Sequence, residues 1–265
     1  MNTEHFSAGT AGHPVDVTRV AEQQWHAVAD DLVVGRGDVS VRPDGRTFLS
    51  IDAWHRPVFD RIAEAVLADL PTPLHTVVDE ADHDLLAGWQ RAGFTVRRRE
   101  WEYVLPTDPQ LTGLGPVQPP SGVTIVPAGE AEEGPLRELD GAVRAEVEAT
   151  VGWQAMPAEI LPRPHGTTVL YPSKYAVAVE AGRYVGLVRV APLTRQPRIG
   201  LIAVRAGHHR RGVARALLAQ VLGELHRSGT ATASAEVNES NRAATALFEG
   251  IGARRTGSSL ELVHR

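Results

Sequence analysis

The segment from Ile199 to Leu225, IGLIAVRAGHHRRGVARALLAQVLGEL, limits the fold more than any other stretch of this chain. A short apolar strand, Leu201 to Val204, enters a loop of small and basic residues, and that loop opens directly into a helix. Val213, Leu217, Val221 and Leu225 recur every fourth residue with Leu218 and Leu222 beside them, so one helix face is apolar. A helix start leaves its first backbone N–H groups without intrahelical acceptors and carries the positive end of the helix dipole. The turn Arg210-Arg211-Gly212-Val213-Ala214 sits at that start. Gly212 and Ala214 put almost no side chain between the backbone and a ligand, and the two arginines add charge. Such an arrangement binds phosphate.

A second pattern follows. Thr230 to Val237 reads as a strand, and Asn238-Glu239-Ser240-Asn241 as a turn and helix start. Ala244, Leu247, Phe248 and Ile251 then fall at helical spacing before Gly252 closes the helix. Together the two patterns resemble the acyl-CoA-binding segments of the GNAT superfamily of N-acyltransferases. The basic loop is similar to the family's pyrophosphate segment, which runs Gln or Arg, two residues, Gly, any residue, then Gly or Ala. Here those positions are His209, Gly212 and Ala214, so His209 departs from the pattern. The run Val-Asn-x-x-Asn-x-x-Ala-x-x-Leu-Phe-x-x-x-Gly is similar to the segment lining the pantetheine arm and thiol. The resemblance covers roughly residues 122–265.

The resemblance implies an α/β fold with a mixed sheet of the α+β kind, and acetyl-CoA as co-substrate with no metal. It implies that Ile202, Ala203, Val204, His209, Arg210, Arg211, Gly212, Val213, Ala214, Arg215, Asn238, Asn241 and Phe248 contact the coenzyme. The implied reaction moves an acetyl group to the primary amine of a small molecule or peptide by direct attack. A backbone N–H near Val204 would serve the oxyanion. Asn238 and Asn241 fit either the pantetheine arm or turn and cap chemistry. Family members often have Tyr at the position of Phe248, which has no proton to give. Its register also fits a packed core aromatic. The leaving thiolate then takes a proton from another group (Ser240, Tyr171, Tyr175 or Tyr184) or from water. Otherwise it departs as the anion, which a thiol pKa of about 8.5 allows. Glu146, Glu148 and Asn238 are the catalytic candidates; Glu146 and Glu148, beside the expected substrate loop, Trp153 to Pro172, and Glu236 are the carboxylates open to the role of base, and each also reads as a solvated surface charge. The alternative from another class is a CoA-binding pseudoenzyme, sensor or interaction module.

The rest of the chain narrows the setting. Its 265 residues suffice for two domains, and 43% hydrophobic content fits a globular protein. A net charge of −5 argues against a general nucleic-acid binder. There are no cysteines, so neither a disulfide nor a thiolate site can form. No signal-like or membrane-spanning run occurs, which makes a cytoplasmic location the expectation. The expected partner is a small-molecule amine, with no nucleic acid and no membrane, and a homodimer is one assembly open to the chain. The group His75, Asp79, Glu80, Asp82, His83 and Asp84 reads as a strand end and an acid-rich helix start rather than a metal site.

The N-terminal half repeats the C-terminal one. Residues 107–121 are rich in Pro and Gly and read as a linker between domains at 1–106 and 122–265. A shift of 159 residues, the separation of Gly93 from Gly252, lays Trp89 on Phe248 and Tyr103 on Leu262. It also lays Phe59, Ile62, Ala63 and Val66 on Leu218, Val221, Leu222 and Leu225. We therefore read residues 1–106 as a truncated, degenerate GNAT-like domain. A helix is expected at Val17 to Asp30, then a hairpin turning at Pro43-Asp44-Gly45. Ala53-Trp54-His55 stands where the other half has Gly212-Val213-Ala214, and the basic loop has no counterpart. This half is expected not to bind CoA.

Overall fold

The computed structural model describes residues 15–42, 44–152, 169–192 and 196–265. Among these residues twelve strands form one sheet. The first half contributes β1 (Asp16–Ala21), β2 (Gln24–Ala29), β3 (Leu32–Val41), β4 (Thr47–Ala53), helix α1 (Arg56–Asp69), β5 (Leu74–Asp79), α2 (His83–Arg91) and β6 (Thr95–Pro106). A short helix α3 (Pro109–Thr112) follows, then β7 (Val123–Val126), α4 (Glu133–Glu148), β8 (Tyr175–Glu180), β9 (Arg183–Ala191), β10 (Arg198–Val204), α5 (Val213–Arg227), β11 (Thr232–Asn238), α6 (Arg242–Glu249) and β12 (Arg254–His264). The 159-residue shift lays α1, β5, α2 and β6 on α5, β11, α6 and β12 to within two residues at each end.

The expected helix at Val17 to Asp30 is instead the hairpin of β1 and β2, paired from Asp16↔Val28 to Ala21↔Gln24. The apolar residues there fit both periods. Burial resolves the ambiguity: Trp25 and Ala27 point into the core at a period of two while their neighbours do not. Pro43 and most of the expected substrate loop (153–168) lie outside the described residues.

The strand order is β1-β2-β3-β4-β5-β12-β6-β11-β10-β9-β8-β7. Replacing each strand by its counterpart in the other half and reversing the list returns the same order, so the sheet has a pseudo-twofold axis between β12 and β6. Around that axis the halves exchange their last strands. β6 pairs with β11 from Thr232↔Pro106 to Asn238↔Glu100, and β12 pairs with β5 from Ser259↔Asp79 to His264↔Leu74. The cores follow the exchange. Tyr103 and Leu105 of β6 pack with α5 and α6, whereas Leu260 and Leu262 of β12 pack with α1 and α2.

Among the described residues all strand pairings are antiparallel except β4 with β5 and β10 with β11. Helices α1, α2, α5 and α6 cover one face of the sheet, and α4 packs on the other over Tyr175, Val177 and Leu187. The first half has only the turn Glu22-Gln23 where the second inserts α4 and its following segment between β7 and β8. The central strands therefore show polar side chains on the α4 side. No helix among the described residues is long and apolar enough to cross a membrane.

Candidate active site

The site starts where β10 and β11 part. They share only Arg198↔Ser234 and Ile199↔Ala235. A bulge between Ile199 and Leu201 then turns β10 aside, while it stays paired with β9 through Val204↔Gly186. The edge of Ile202, Ala203 and Val204 that faces away from β9 consequently has no strand partner among the described residues, and these residues are partly exposed. At Gly186 an added Cβ would stand 3.2 Å from Val213 Cγ1 and 3.3 Å from Leu217 Cδ1. The glycine lets α5 close onto the sheet and so places the helix start beside the open strand edge.

The connecting loop is held by its own backbone and by neighbours. Ala206–His208 forms one 3-10 turn, with the His208 N–H donating to the Arg205 carbonyl at 2.8 Å. His209 Nε2–H donates to the Val204 carbonyl at 2.7 Å, which fixes the ring tautomer and ties the loop back to the strand. Arg210 (φ 61°) and Gly212 (φ 90°) are both left-handed and flank Arg211, so the backbone curls into a nest. Among the described residues, the N–H groups of residues 210–215 donate to no acceptor. The first bond of α5 runs from Ala216 N–H to the Gly212 carbonyl at 3.0 Å. Among the described residues a Cβ built on Gly212 would meet only Pro120 Cγ, at 3.9 Å, so they leave the cradle open. This donor set fits the diphosphate of a coenzyme.

The two arginines divide their work. Arg211 pairs with Glu180 on β8, as does His208 through Nε2 at 2.8 Å. The Arg211 bond, with His208 second, holds the Glu180 carboxyl below its ordinary value and raises Arg211. Arg210 and Arg215 have no hydrogen-bond or ion-pair partner among the described residues, so they are the charges left for a ligand.

Glu146 bonds Arg205 Nε at 2.6 Å and the Ala206 N–H at 2.9 Å. Burial opposes its ionisation, but Arg205 and the backbone N–H outweigh burial and hold the carboxyl below the ordinary range. Glu146 thus anchors α4 to the loop and is poorly suited to take protons. Glu148 is exposed on the last residue of α4. Asn238 Oδ1 accepts from Ser240 N–H (2.9 Å) and Oγ–H (2.7 Å) in a turn, and Asn241 Oδ1 caps α6 by accepting from Ala244 N–H at 3.0 Å. Phe248 is buried, its ring centroid 6.2 Å from that of Tyr103, whose hydroxyl donates to Glu249 Oε1 at 3.0 Å. Of the tyrosines weighed as acids, Tyr184 accepts from the Glu132 N–H, Tyr175 is buried under α4, and Tyr171 is exposed beside Lys174. Carboxylates of the expected strand-end group are engaged too: Asp82 caps α2 and Glu80 pairs with Arg99.

A residue absent from the sequence reading stands at the mouth of the cleft. Glu102 on β6 is the register partner of Glu236 on β11, the first residue beyond the last β10–β11 pair. Its signal was the alternation Glu100, Glu102 against Trp101, Tyr103 and Leu105 along a central strand.

Residues 167–262 match the model of the acetyltransferase (GNAT) domain. No curated protein matches this chain in sequence. Among solved structures, a GCN5-related N-acetyltransferase from Sphaerobacter thermophilus is similar over 93% of this chain and 82% of its own, with 17% identity and a TM-score of 0.62. A tandem GNAT protein from the clavulanic acid biosynthesis pathway is similar over 91% of this chain and 82% of its own, with 17% identity and a TM-score of 0.63. A GCN5-related N-acetyltransferase from Kribbella flavida covers 95% and 89% at 14% identity and a TM-score of 0.56. At such identities the likeness is one of fold.

Proposed function

We propose that this protein transfers an acetyl group from acetyl-CoA to a primary amine, because residues 167–262 match the model of the acetyltransferase (GNAT) domain and the chain resembles a tandem GNAT protein in fold. The observation that carries the reading is the row of unengaged N–H groups at residues 210–215, set at the start of α5 beside the open edge of β10. Those N–H groups and Arg210 would hold the diphosphate. The free edge of Ile202 to Val204 would align the pantetheine arm and offer a backbone donor to the carbonyl oxygen. Asn238 and Asn241 keep their turn and cap roles, and from the end of β11 they would border the pantetheine arm. Phe248 packs in the core and supplies no proton, so the thiolate leaves as the anion or takes a proton from solvent. The coenzyme supplies the activated acyl group, and the chain supplies position and charge.

The first half has two residues, Trp54 and His55, between β4 and α1, where the second has eight between β10 and α5. Trp54 is exposed and no nest of the Arg210–Gly212 kind precedes α1. One coenzyme per chain is therefore expected, and the first half is the structural partner that completes the sheet. Calorimetry with CoA and acetyl-CoA tests the reading together with thiol release on a panel of amines. One-to-one binding and release with some amine support it. Binding without release on any amine points to a coenzyme sensor, and absence of binding overturns the reading.

A further inference from the structure

We propose that Glu102, on the strand that the N-terminal half inserts into the C-terminal sheet, binds the acceptor's ammonium group and accepts the proton that nitrogen loses before it attacks. The inference rests on the acetyl-transfer reading and names the group that reading lacks. It makes the acceptor a cationic amine rather than a neutral hydroxyl, and it makes the active site a product of both halves.

The geometry comes from the sheet. β10 and β11 part after Ile199↔Ala235, so Glu236 is the first β11 residue at the opening. Glu102 is its direct partner on β6, and paired positions across antiparallel strands hold their Cβ atoms about 4.5–5.5 Å apart. Ala235, Val237 and Tyr103 turn toward α5 and α6, so both carboxylates turn toward the face on which α4 and the β10 bulge leave room. Gly257 of β12 is the register partner on the other side of Glu102, and a Cβ there would stand 3.2 Å from Glu102 Oε2. On the opposite lip Arg189 of β9 reaches over Gly200, its Nη1 at 2.9 Å from where a Cβ would be.

The charged groups around the pair separate their roles. Glu236 is engaged by Arg198 at 2.8 Å. The Glu102 carboxylate is half-buried and has neither a hydrogen-bond nor an ion-pair partner among the described residues. Asp79 of β5 and Glu100 of the same strand lie on the same face. Burial first, then Glu236 and Asp79, push the Glu102 carboxyl above its ordinary value. A carboxylate so placed is a stronger base than a solvated one and attracts a cation.

Glu102 takes one proton from the ammonium, freeing the nitrogen lone pair. That pair forms the C–N bond to the thioester carbonyl carbon, and the C–S bond breaks with its electrons leaving on sulfur. The second nitrogen proton passes to water, the thiolate leaves as the anion or takes a proton from solvent, and Glu102 returns its own proton to water.

The test compares the full-length wild type with Glu102→Gln and Glu102→Asp, using acetyl-CoA and spermidine, tyramine, glucosamine and kanamycin as acceptors. Glu102→Gln should bind acetyl-CoA within about twofold of wild type and lose roughly 10²–10³-fold in kcat/KM. The acid limb of the wild-type pH profile should lie above the ordinary glutamate range and vanish in the variant, with Glu102→Asp recovering part of the rate. Because the substitution removes repulsion from Glu236 and Asp79, Glu102→Gln should also melt at or above the wild-type temperature at neutral pH. A variant that folds, binds acetyl-CoA and keeps wild-type kcat/KM with an unchanged acid limb overturns the role of Glu102 alone. Wild-type protein that fails to bind acetyl-CoA, or releases no thiol with any of the four amines, overturns the functional reading and this inference with it.

Discussion

At the scale of single residues, the site depends on backbone conformations that few side chains tolerate. Gly212 sits at φ 90°, where an L-residue is strained by roughly 1–2 kcal/mol. Gly212→Val should therefore lower stability by about that amount and weaken acetyl-CoA binding at least tenfold, checked by melting and calorimetry. Arg210 already accepts a left-handed φ of 61°, which is tolerable at one position of the nest and costly at two without glycine. Asn241 contributes differently. Its cap on Ala244 predicts that Asn241→Ala loses about 1 kcal/mol, a helix effect measurable without any ligand. His75 gives the pH prediction. Its ring is buried and stacked 5.3 Å from Phe48, and burial, with Glu261 opposing and Arg46 reinforcing, lowers its pKa below the ordinary 6.5. The unfolded chain then binds the proton more readily than the folded one. The stability that the neutral ring supplies is complete above pH 6.5 and is lost as pH falls below it through the folded value. The urea midpoint of the wild type should drop from pH 7 to pH 5, and His75→Gln should flatten that slope.

At the scale of elements, the exchange of β6 and β12 has a consequence that can be measured. Leu262 belongs to the second half by sequence and to the core of α1 and α2 by packing. Leu262→Ala should cost about 2–5 kcal/mol, and hydrogen exchange should show lost protection in α1 and β5. Loss confined to α5 and α6 would contradict the pairing. This exchange marks the limit of what the sequence disclosed. The helix at 213–227, the strand at 198–204 and the repeat were legible because apolar spacing and glycine placement are local. The choice of slot for each last strand was not, because Tyr103 and Leu262 occupy equivalent positions and both are apolar, so either assignment satisfies the same pattern. The candidate site divides along the same line. Gly212 and its loop were readable from chain-local chemistry, whereas Glu102 gains meaning only once β6 lies beside β11. The expected helix at 17–30 failed because its valines fit both periods, and only the burial of Trp25 and Ala27 decides between them.

At the scale of the whole molecule, two sequence repeats share one sheet. Each half's core is finished by a strand from the other, so the halves should unfold together. Urea denaturation followed by near- and far-ultraviolet circular dichroism should give coincident transitions, and two separated transitions would show independent halves. Residues 107–265 expressed alone should fail to reach a soluble monomer, because the edge of β11 and the slot filled by Tyr103 and Leu105 would be bare. The reciprocal strand placement also reaches into biosynthesis. A nascent chain usually folds its first unit while the second is still being translated. Here the strand that seals the α1–α2 core is translated 159 residues after its counterpart, so the first half must wait on the ribosome with a raw β5 margin. A truncated translation product would leave that margin open to pairing with strands of other chains.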